Sequence, residues 1–213
     1  MGILRRLKLK FLSKNENFRR FYSEPDFENP VFCSFDLETT GLNPKEDEVL
    51  SIGAIKIVDY KVDFSQKLKV LVKPEREIPK ESILIHGIRE SELENALSPK
   101  EAIELFLNFA KGTILIGYFV QFDIAVISRY TKNFWGFPLF HPFVEVGNLY
   151  RQRIKSRYLS HRESGEKSLD EMAKEFSISI EDRHDAYGDS LLTAFLFLTL
   201  VKKGAEWKKA LHQ

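Results

Sequence analysis

The stretch FCSFDLETTGL (residues 32–42) places two acids, Asp36 and Glu38, in a segment that otherwise has the composition of a buried strand. Because side chains two apart in a strand point to the same face, both carboxylates project together. Burial and mutual repulsion raise the pKa of at least one such carboxyl group. A divalent cation such as Mg²⁺ or Mn²⁺ removes this cost, since both ions prefer hard oxygen ligands. The alternative interpretation is that the strand end is exposed and both acids are merely solvated.

Two further acids lie at predicted element boundaries later in the chain. Asp123 follows the largely apolar run ILIGYFVQF at a predicted strand-to-helix junction, where no solvated face is obvious. Asp189 opens the predicted last helix in HDAYGDSLLTAF, one helical turn after His184. Taken singly, helix capping explains Asp189 and a surface imidazole explains His184. The joint pattern instead predicts a cluster of carboxylates with one histidine.

This combination resembles the DEDD-type 3′→5′ exonucleases with a catalytic histidine, which belong to the ribonuclease H-like superfamily and include the proofreading epsilon subunits of DNA polymerase III. FDLETTGL is similar to their first motif, QFD to the end of the second, and HDAYGDSLLTAFLFL to the third. The similarity covers roughly residues 31–201. It implies an α/β fold of three layers, in which a central mixed five-stranded sheet is flanked by helices.

The resemblance also implies a role for each residue of the pattern. Two divalent cations, Mg²⁺ or Mn²⁺, are expected beside the scissile phosphate, with His184 as the general base. The expected catalytic metal ligands are Asp36, Glu38, Asp123 and Asp189. The residues expected to meet the 3′-terminal nucleotide are Thr39, Thr40, Leu42, His86 and Phe122. For His86, in the HGI stretch, a histidine that caps a loop is an equally good interpretation.

The chain departs from the family pattern at two places. Tyr118 and Phe119 stand where the family usually has a His-Asn pair, and GNL at 147–149 stands where relatives often have DTL. We expect the first departure to affect substrate preference more than catalysis. Since all five residues expected to carry the chemistry are present, we expect an active enzyme.

The predicted organisation is a basic helical arm and linker at 1–30, an exonuclease domain at 31–203 and a short tail at 204–213. Residues 1–20 carry seven basic and one acidic side chain, although the 213-residue chain has a net charge of only +1. Such an arm predicts contact with an anionic partner such as nucleic acid. The alternative is an amphipathic helix docked on the body through apolar side chains, namely Leu4, Leu7, Phe11 and Leu12.

Composition limits the class of protein further. A single cysteine, Cys33, excludes an intrachain disulfide and a thiolate zinc cluster, which fits a cytoplasmic protein. No apolar run reaches the ~18 residues that a membrane-spanning helix needs.

Three functions remain open on the sequence. The leading one is removal of nucleotides from the 3′ ends of single-stranded DNA as nucleoside 5′-monophosphates. We expect such an enzyme to act alone, or to bind a replication or repair partner through its basic arm. The second is trimming of RNA 3′ ends, because the choice of sugar depends on contacts to the 2′-hydroxyl group. The third is a non-catalytic module that binds nucleic-acid ends, and the intact set of five residues counts against it.

Overall fold

A computed structural model describes residues 3–157, 167–179 and 185–212. The strands are β1 (Phe32–Thr39), β2 (Val49–Val58), β3 (Lys61–Leu71), β4 (Ile114–Gly117), β5 (Phe143–Glu145) and β6 (Leu211–His212). The helices are α1 (Ile3–Leu12), α2 (Glu16–Phe21), α3 (Lys80–His86), α4 (Pro99–Ala110), α5 (Val120–Trp135), α6 (Val146–Arg157), α7 (Leu169–Glu175) and α8 (Ala186–Lys202). Within these ranges no helix is both long and apolar enough to cross a membrane.

The strands form one mixed sheet in the order β3-β2-β1-β4-β5-β6. Strands β1, β4 and β5 run parallel to one another, while β2 and β3 form an antiparallel hairpin beside β1. The parallel strands alternate with helices, which is the pattern of α/β folds. The predicted α/β class with a mixed sheet is confirmed.

Side chains of β1 alternate between the two faces of the sheet, and each face packs against different helices. Phe35 and Leu37 lie in a buried cluster with residues of α4 and α5. Phe32 lies in the cluster on the other face, among residues of α6, α7 and α8. The period of two therefore puts Asp36 and Glu38 on the face that α8 covers.

The sheet has six strands, so the predicted count of five is wrong by one. The additional strand, β6, pairs antiparallel with β5 at the edge of the sheet. A short 3₁₀ turn, Trp207–Ala210, leads into it, and Trp207 is buried. A strand of two residues is too short to carry an alternating pattern, so no pattern in the predicted short tail at 204–213 indicated it.

The basic arm packs against the body, but through a different face from the expected one. Three of the residues that were expected to dock are more than half exposed, namely Leu4, Leu7 and Phe11. Of the four expected residues only Leu12 packs against the core, and it does so with Leu9 and beside the buried Arg5. Apolar residues occur around most of α1, so the sequence alone did not identify the contact face. Phe18 and Phe21 of α2 are buried in the main core. The second half of the predicted arm therefore contributes to the hydrophobic core.

Arg5 holds α1 in place through a buried hydrogen-bond network. Its guanidinium donates to Glu24 Oε1 at 3.0 Å and to the Tyr22 hydroxyl at 2.8 Å. The Tyr22 hydroxyl in turn donates to Glu24 Oε2 at 2.7 Å. The guanidinium also lies 4.7 Å from the ring centroid of Phe140, within cation–π range. One cation of the arm is thus used in packing.

Replacing Arg5 should destabilise the fold, whereas replacing its neighbour should not. Arg5→Ala removes the charged partner of the partly buried Glu24 carboxylate and the donor to the Tyr22 hydroxyl, so we expect a loss of about 1–3 kcal/mol of unfolding free energy. Arg6 is exposed, and Arg6→Ala should change stability by less than about 0.5 kcal/mol. Urea unfolding of both variants measures the difference, and equal stabilities would contradict the docked arrangement.

Candidate active site

A cleft of about 690 Å³ opens where the three parallel strands end. Asp36 and Glu38 of β1 line it, together with Tyr118 and Phe119 after β4 and Glu145 at the end of β5. In open α/β sheets ligands bind outside the carboxyl ends of parallel strands, because the loops and helix starts converge there. The cleft is therefore the candidate active site.

The start of α8 reaches this cleft because Gly53 of β2 has no side chain. Gly53 pairs with Asp36 in the β1–β2 ladder. A Cβ atom at Gly53 would lie 2.1 Å from the backbone carbon of Ala186, the first residue of α8. A hydrogen bond from Ser34 Oγ to the Ser190 carbonyl, 2.8 Å long, fastens the same helix to β1. The helix start can thus lie directly on the strand that carries the first two acids.

The carboxylates of this region repel one another. Burial first, and then the negative charges of Asp189 and Asp185, raise the pKa of Glu38 from 4.5 to about 7. Burial, followed by the charges of Glu145 and Glu38, raises the pKa of Asp123 well above its usual range. Asp189 is thereby close enough to Glu38 to act on it electrostatically. Glu38 therefore interacts electrostatically with both Asp123 and Asp189, and Asp36 lines the same cleft as Glu38 and Asp123.

The donor set fits a hard divalent cation. Positive charge placed in the cleft would offset both the burial of the carboxylates and their repulsion. Within the described ranges, no three His, Cys, Asp or Glu side chains form a compact ligand set for one ion by themselves. Mg²⁺ is bound in proteins by one or two carboxylates together with water and phosphate oxygens, so pairs of these acids suffice. Asp36, Glu38 and Asp123 are the residues placed to supply them.

Glu145 is a site residue that sequence reasoning missed. Its carboxylate accepts the backbone N–H of Val120 at 2.9 Å and that of Gly147 at 3.0 Å. The first bond caps the N-terminus of α5, the helix that carries Asp123 one turn further on. The signal was available in the sequence, since Glu145 ends a short apolar run as Asp36 does.

The residues predicted to meet the nucleotide divide into two groups. Those that line the cleft are Thr39, Leu42, His86 and Phe122. Thr40 is not among the described residues that line it. The Thr40 hydroxyl donates to Asp47 at 3.0 Å and accepts the N–H of Glu48 at 2.9 Å, so it closes the loop between β1 and β2. His86 Nδ1 accepts the Ile88 N–H at 3.0 Å, which is the loop-capping interpretation.

Two aromatic residues at the family departure also line the cleft. Phe119 has a left-handed backbone, with φ 52° and ψ 29°, and its side chain is 54% exposed. Its ring lies 4.5 Å from that of Tyr118, tilted by 56°. The left-handed conformation is uncommon for a bulky residue, and here it turns the chain between β4 and α5. His184, the expected general base, lies outside the described residues.

Comparison with known proteins agrees with this geometry. The RNase_T family, described as exonuclease, matches residues 33–197. The chain belongs to this exonuclease family. The matched residues include the three motifs on which the DEDD-type resemblance is based. That resemblance is therefore confirmed.

The chain has relatives among bacterial DNA polymerase III proteins. A PolC-type DNA polymerase III of Thermotoga petrophila is 32% identical over 184 residues, which are 86% of this chain and 13% of that protein. The epsilon subunit of DNA polymerase III of Aquifex aeolicus is 28% identical over 175 residues, 81% of both chains. The chain thus spans about an eighth of the PolC-type relatives.

Solved structures show the same fold. E. coli Exonuclease I in complex with a dA16 oligonucleotide has a TM-score of 0.69 at 19% identity, over 82% of this chain and 41% of that one. Exonuclease X in complex with 5′ overhanging duplex DNA has a TM-score of 0.65 at 18% identity, over 84% and 96%. The exonuclease therefore has the predicted ribonuclease H-like fold.

The raised pKa of Glu38 predicts a pH-dependent stability for the metal-free exonuclease. The folded protein binds this proton more tightly than the unfolded chain, so Glu38 contributes stability that is complete below about pH 4.5 and is lost as the pH rises through about 7. In chelator, the Tm of the wild type relative to Glu38→Gln should fall between about pH 5 and about pH 8. Parallel pH profiles of the two proteins would show that Glu38 is solvated.

Removing Glu145 should loosen the start of α5. Glu145→Ala leaves the buried Val120 N–H without its acceptor, which costs about 1–3 kcal/mol of unfolding free energy and displaces Asp123. Glu145→Gln keeps one acceptor oxygen, which can serve the Val120 N–H but not the Gly147 N–H as well, so it should lose less stability and turnover than Glu145→Ala. Urea unfolding and kcat measure both. Equal damage in the two variants would assign the effect to the charge of Glu145 instead of its hydrogen bonds.

Proposed function

We propose that the chain is a metal-dependent 3′→5′ exonuclease that acts on single-stranded DNA ends and releases nucleoside 5′-monophosphates. The observation that carries this proposal is the convergence of Asp36, Glu38 and Asp123 in one cleft that also has apolar and aromatic side chains in its lining, among them Leu42, Phe119 and Phe122. Acids and apolar groups together suit a nucleotide, whose phosphate needs charge compensation and whose base needs a flat apolar contact.

The mechanism assigns a task to each side chain. Two divalent cations, Mg²⁺ or Mn²⁺, would supply a water of lowered pKa and would stabilise charge on the attacking and leaving oxygens. The residues proposed to hold them are Asp36, Glu38, Asp123 and Asp189. His184 takes the proton from the attacking water, since its ordinary pKa lies near working pH. Glu145 keeps Asp123 in position through the start of α5.

Exposed apolar side chains at the cleft support a single-stranded substrate. Leu42 is 88% exposed and Phe119 is 54% exposed, although both are apolar. Unpaired bases stack on such surfaces without regard to sequence, and a base held in a duplex has no free face to offer. The solved complex of Exonuclease I with an oligonucleotide supports DNA as the substrate class. Thr39 and His86 line the cleft and are the residues proposed to contact the terminal sugar.

A replication or repair protein is the proposed partner, and the cytoplasm the proposed location. The relatives include polymerase III proteins of the PolC and epsilon types. The exposed cations Arg6, Lys8 and Lys14 of the arm remain available to a partner or to nucleic acid after Arg5 has docked.

A substrate panel tests the proposal. We expect Mg²⁺-dependent release of monophosphates from a 3′-labelled single strand of DNA, slower release from a blunt duplex, and no release in excess chelator. Asp36→Asn or Asp123→Asn should lower turnover at least about 10³-fold, because a two-ion site loses its charge balance when one ligand is neutralised. Glu81→Gln, an exposed acid on α3, is the matched control and should remain active.

Other outcomes of the same panel would identify a different function. Faster release from RNA than from DNA would favour trimming of RNA 3′ ends. Binding of ends without release, in wild type and Asp36→Asn alike, would indicate a non-catalytic module and contradict the proposal.

A further inference from the structure

A second cavity, of about 310 Å³, adjoins the candidate active site and differs from it in charge. Its lining includes Asn148, Arg151, Gln152, Lys209, Leu211 and His212. None of the described residues that line it is acidic, whereas the active-site cleft is lined by four acids. A cationic cavity suits an anionic chain such as a nucleic-acid backbone. The acidic cleft beside it suits the end of that chain if the end is bound through metal ions.

The two cavities share a wall, so one ligand can occupy both. Asn148 and Arg151, on the first turns of α6, line the active-site cleft and the second cavity. The Arg151 guanidinium donates to the Asn148 side-chain oxygen. This bond holds the forked guanidinium group at the boundary between the two cavities. Such a fork matches the two oxygens of a phosphate.

The opposite wall is held rigidly by the C-terminal segment. Trp207 is buried, packs edge-on against Phe32 with centroids 5.1 Å apart, and donates to the Tyr60 hydroxyl at 3.2 Å. His212 pairs with Phe143 of β5, and their rings stack at 4.8 Å. Lys209 lies between these two anchors, so its backbone is fixed while its side chain is exposed.

The Lys209 ammonium is available to a phosphate. It pairs with Glu206 at 2.6 Å, but both side chains are more than 60% exposed. An exposed ion pair of this kind contributes little free energy to stability. The Lys209 ammonium can therefore leave Glu206 and bind a phosphate at little cost in free energy.

We propose that this second cavity binds backbone phosphates of the substrate strand on the 5′ side of the scissile bond, through Arg151 and Lys209. The inference rests on the proposed function, because it assumes that the 3′ end lies among the carboxylates. The ligand of the C-terminal segment is then a phosphodiester group of the single strand. A dinucleotide has a single phosphodiester, which is the scissile one, so it offers no second phosphodiester to the cavity, whereas a longer strand does.

Matched lysine variants and substrates of two lengths test the cavity. For Lys209→Ala, KM on an eight-nucleotide strand should rise about threefold to tenfold, with kcat unchanged and with dinucleotide cleavage as in the wild type. The slope of log affinity against log salt should become shallower by about 0.7, and Lys209→Arg should restore it. Lys208→Ala is the control: Lys208 neighbours Lys209 in the same turn, is also exposed and does not line the cavity.

The outcomes separate this inference from the proposed function. Equal KM values for Lys209→Ala and Lys208→Ala, or equal losses on both substrate lengths, would overturn the phosphate site while the exonuclease stands. If wild type cleaves neither substrate, the proposed function fails. The salt slope for binding of the uncleaved eight-nucleotide strand in Ca²⁺ then still decides the cavity, since an unchanged slope in Lys209→Ala would overturn it.

Discussion

The approach of α8 to the sheet at Gly53 is the constraint on which the site depends. Only a residue without a side chain allows the first turn of this helix to lie on β2, opposite Asp36. Any larger residue would push the helix outward and carry Asp189 away from Glu38. The hydrogen bond from Ser34 to the Ser190 carbonyl acts in the same direction. Close packing of backbone on backbone thus brings together acids from distant parts of the chain.

That packing has an electrostatic cost, because it brings carboxylates close together. The rest of the structure must supply stability that offsets this cost. The raised pKa values of Glu38 and Asp123 mean that the metal-free fold is destabilised when these groups ionise. The remaining structure offsets this with a large apolar core on both faces of the sheet and with anchors such as the Arg5 network. A bound cation would convert the same repulsion into affinity, so the strain is tied to the proposed chemistry.

The sequence was informative where a period or a motif carried the information. The alternation of β1 predicted that Asp36 and Glu38 share a face, and the register of the sheet agrees. The sequence was uninformative where the position of an element depends on contacts between distant segments of the chain. The docking face of α1 is set by Arg5 meeting Glu24, and the sixth strand by Trp207 meeting Phe32. Neither contact leaves a local pattern, since each is made by tertiary packing.

The two departures from the family pattern occupy one corner of the cleft and explain each other. Gly147, in the GNL segment, would place a Cβ 3.4 Å from the Glu145 carboxylate and 3.5 Å from the Tyr118 ring. A longer side chain there would compete with Glu145 for the start of α5. With glycine, Glu145 accepts the Val120 N–H, and the chain before it adopts the left-handed turn that exposes Phe119. The aromatic pair and the glycine therefore meet at the Glu145 carboxylate, which caps the start of α5 next to the turn that exposes Phe119.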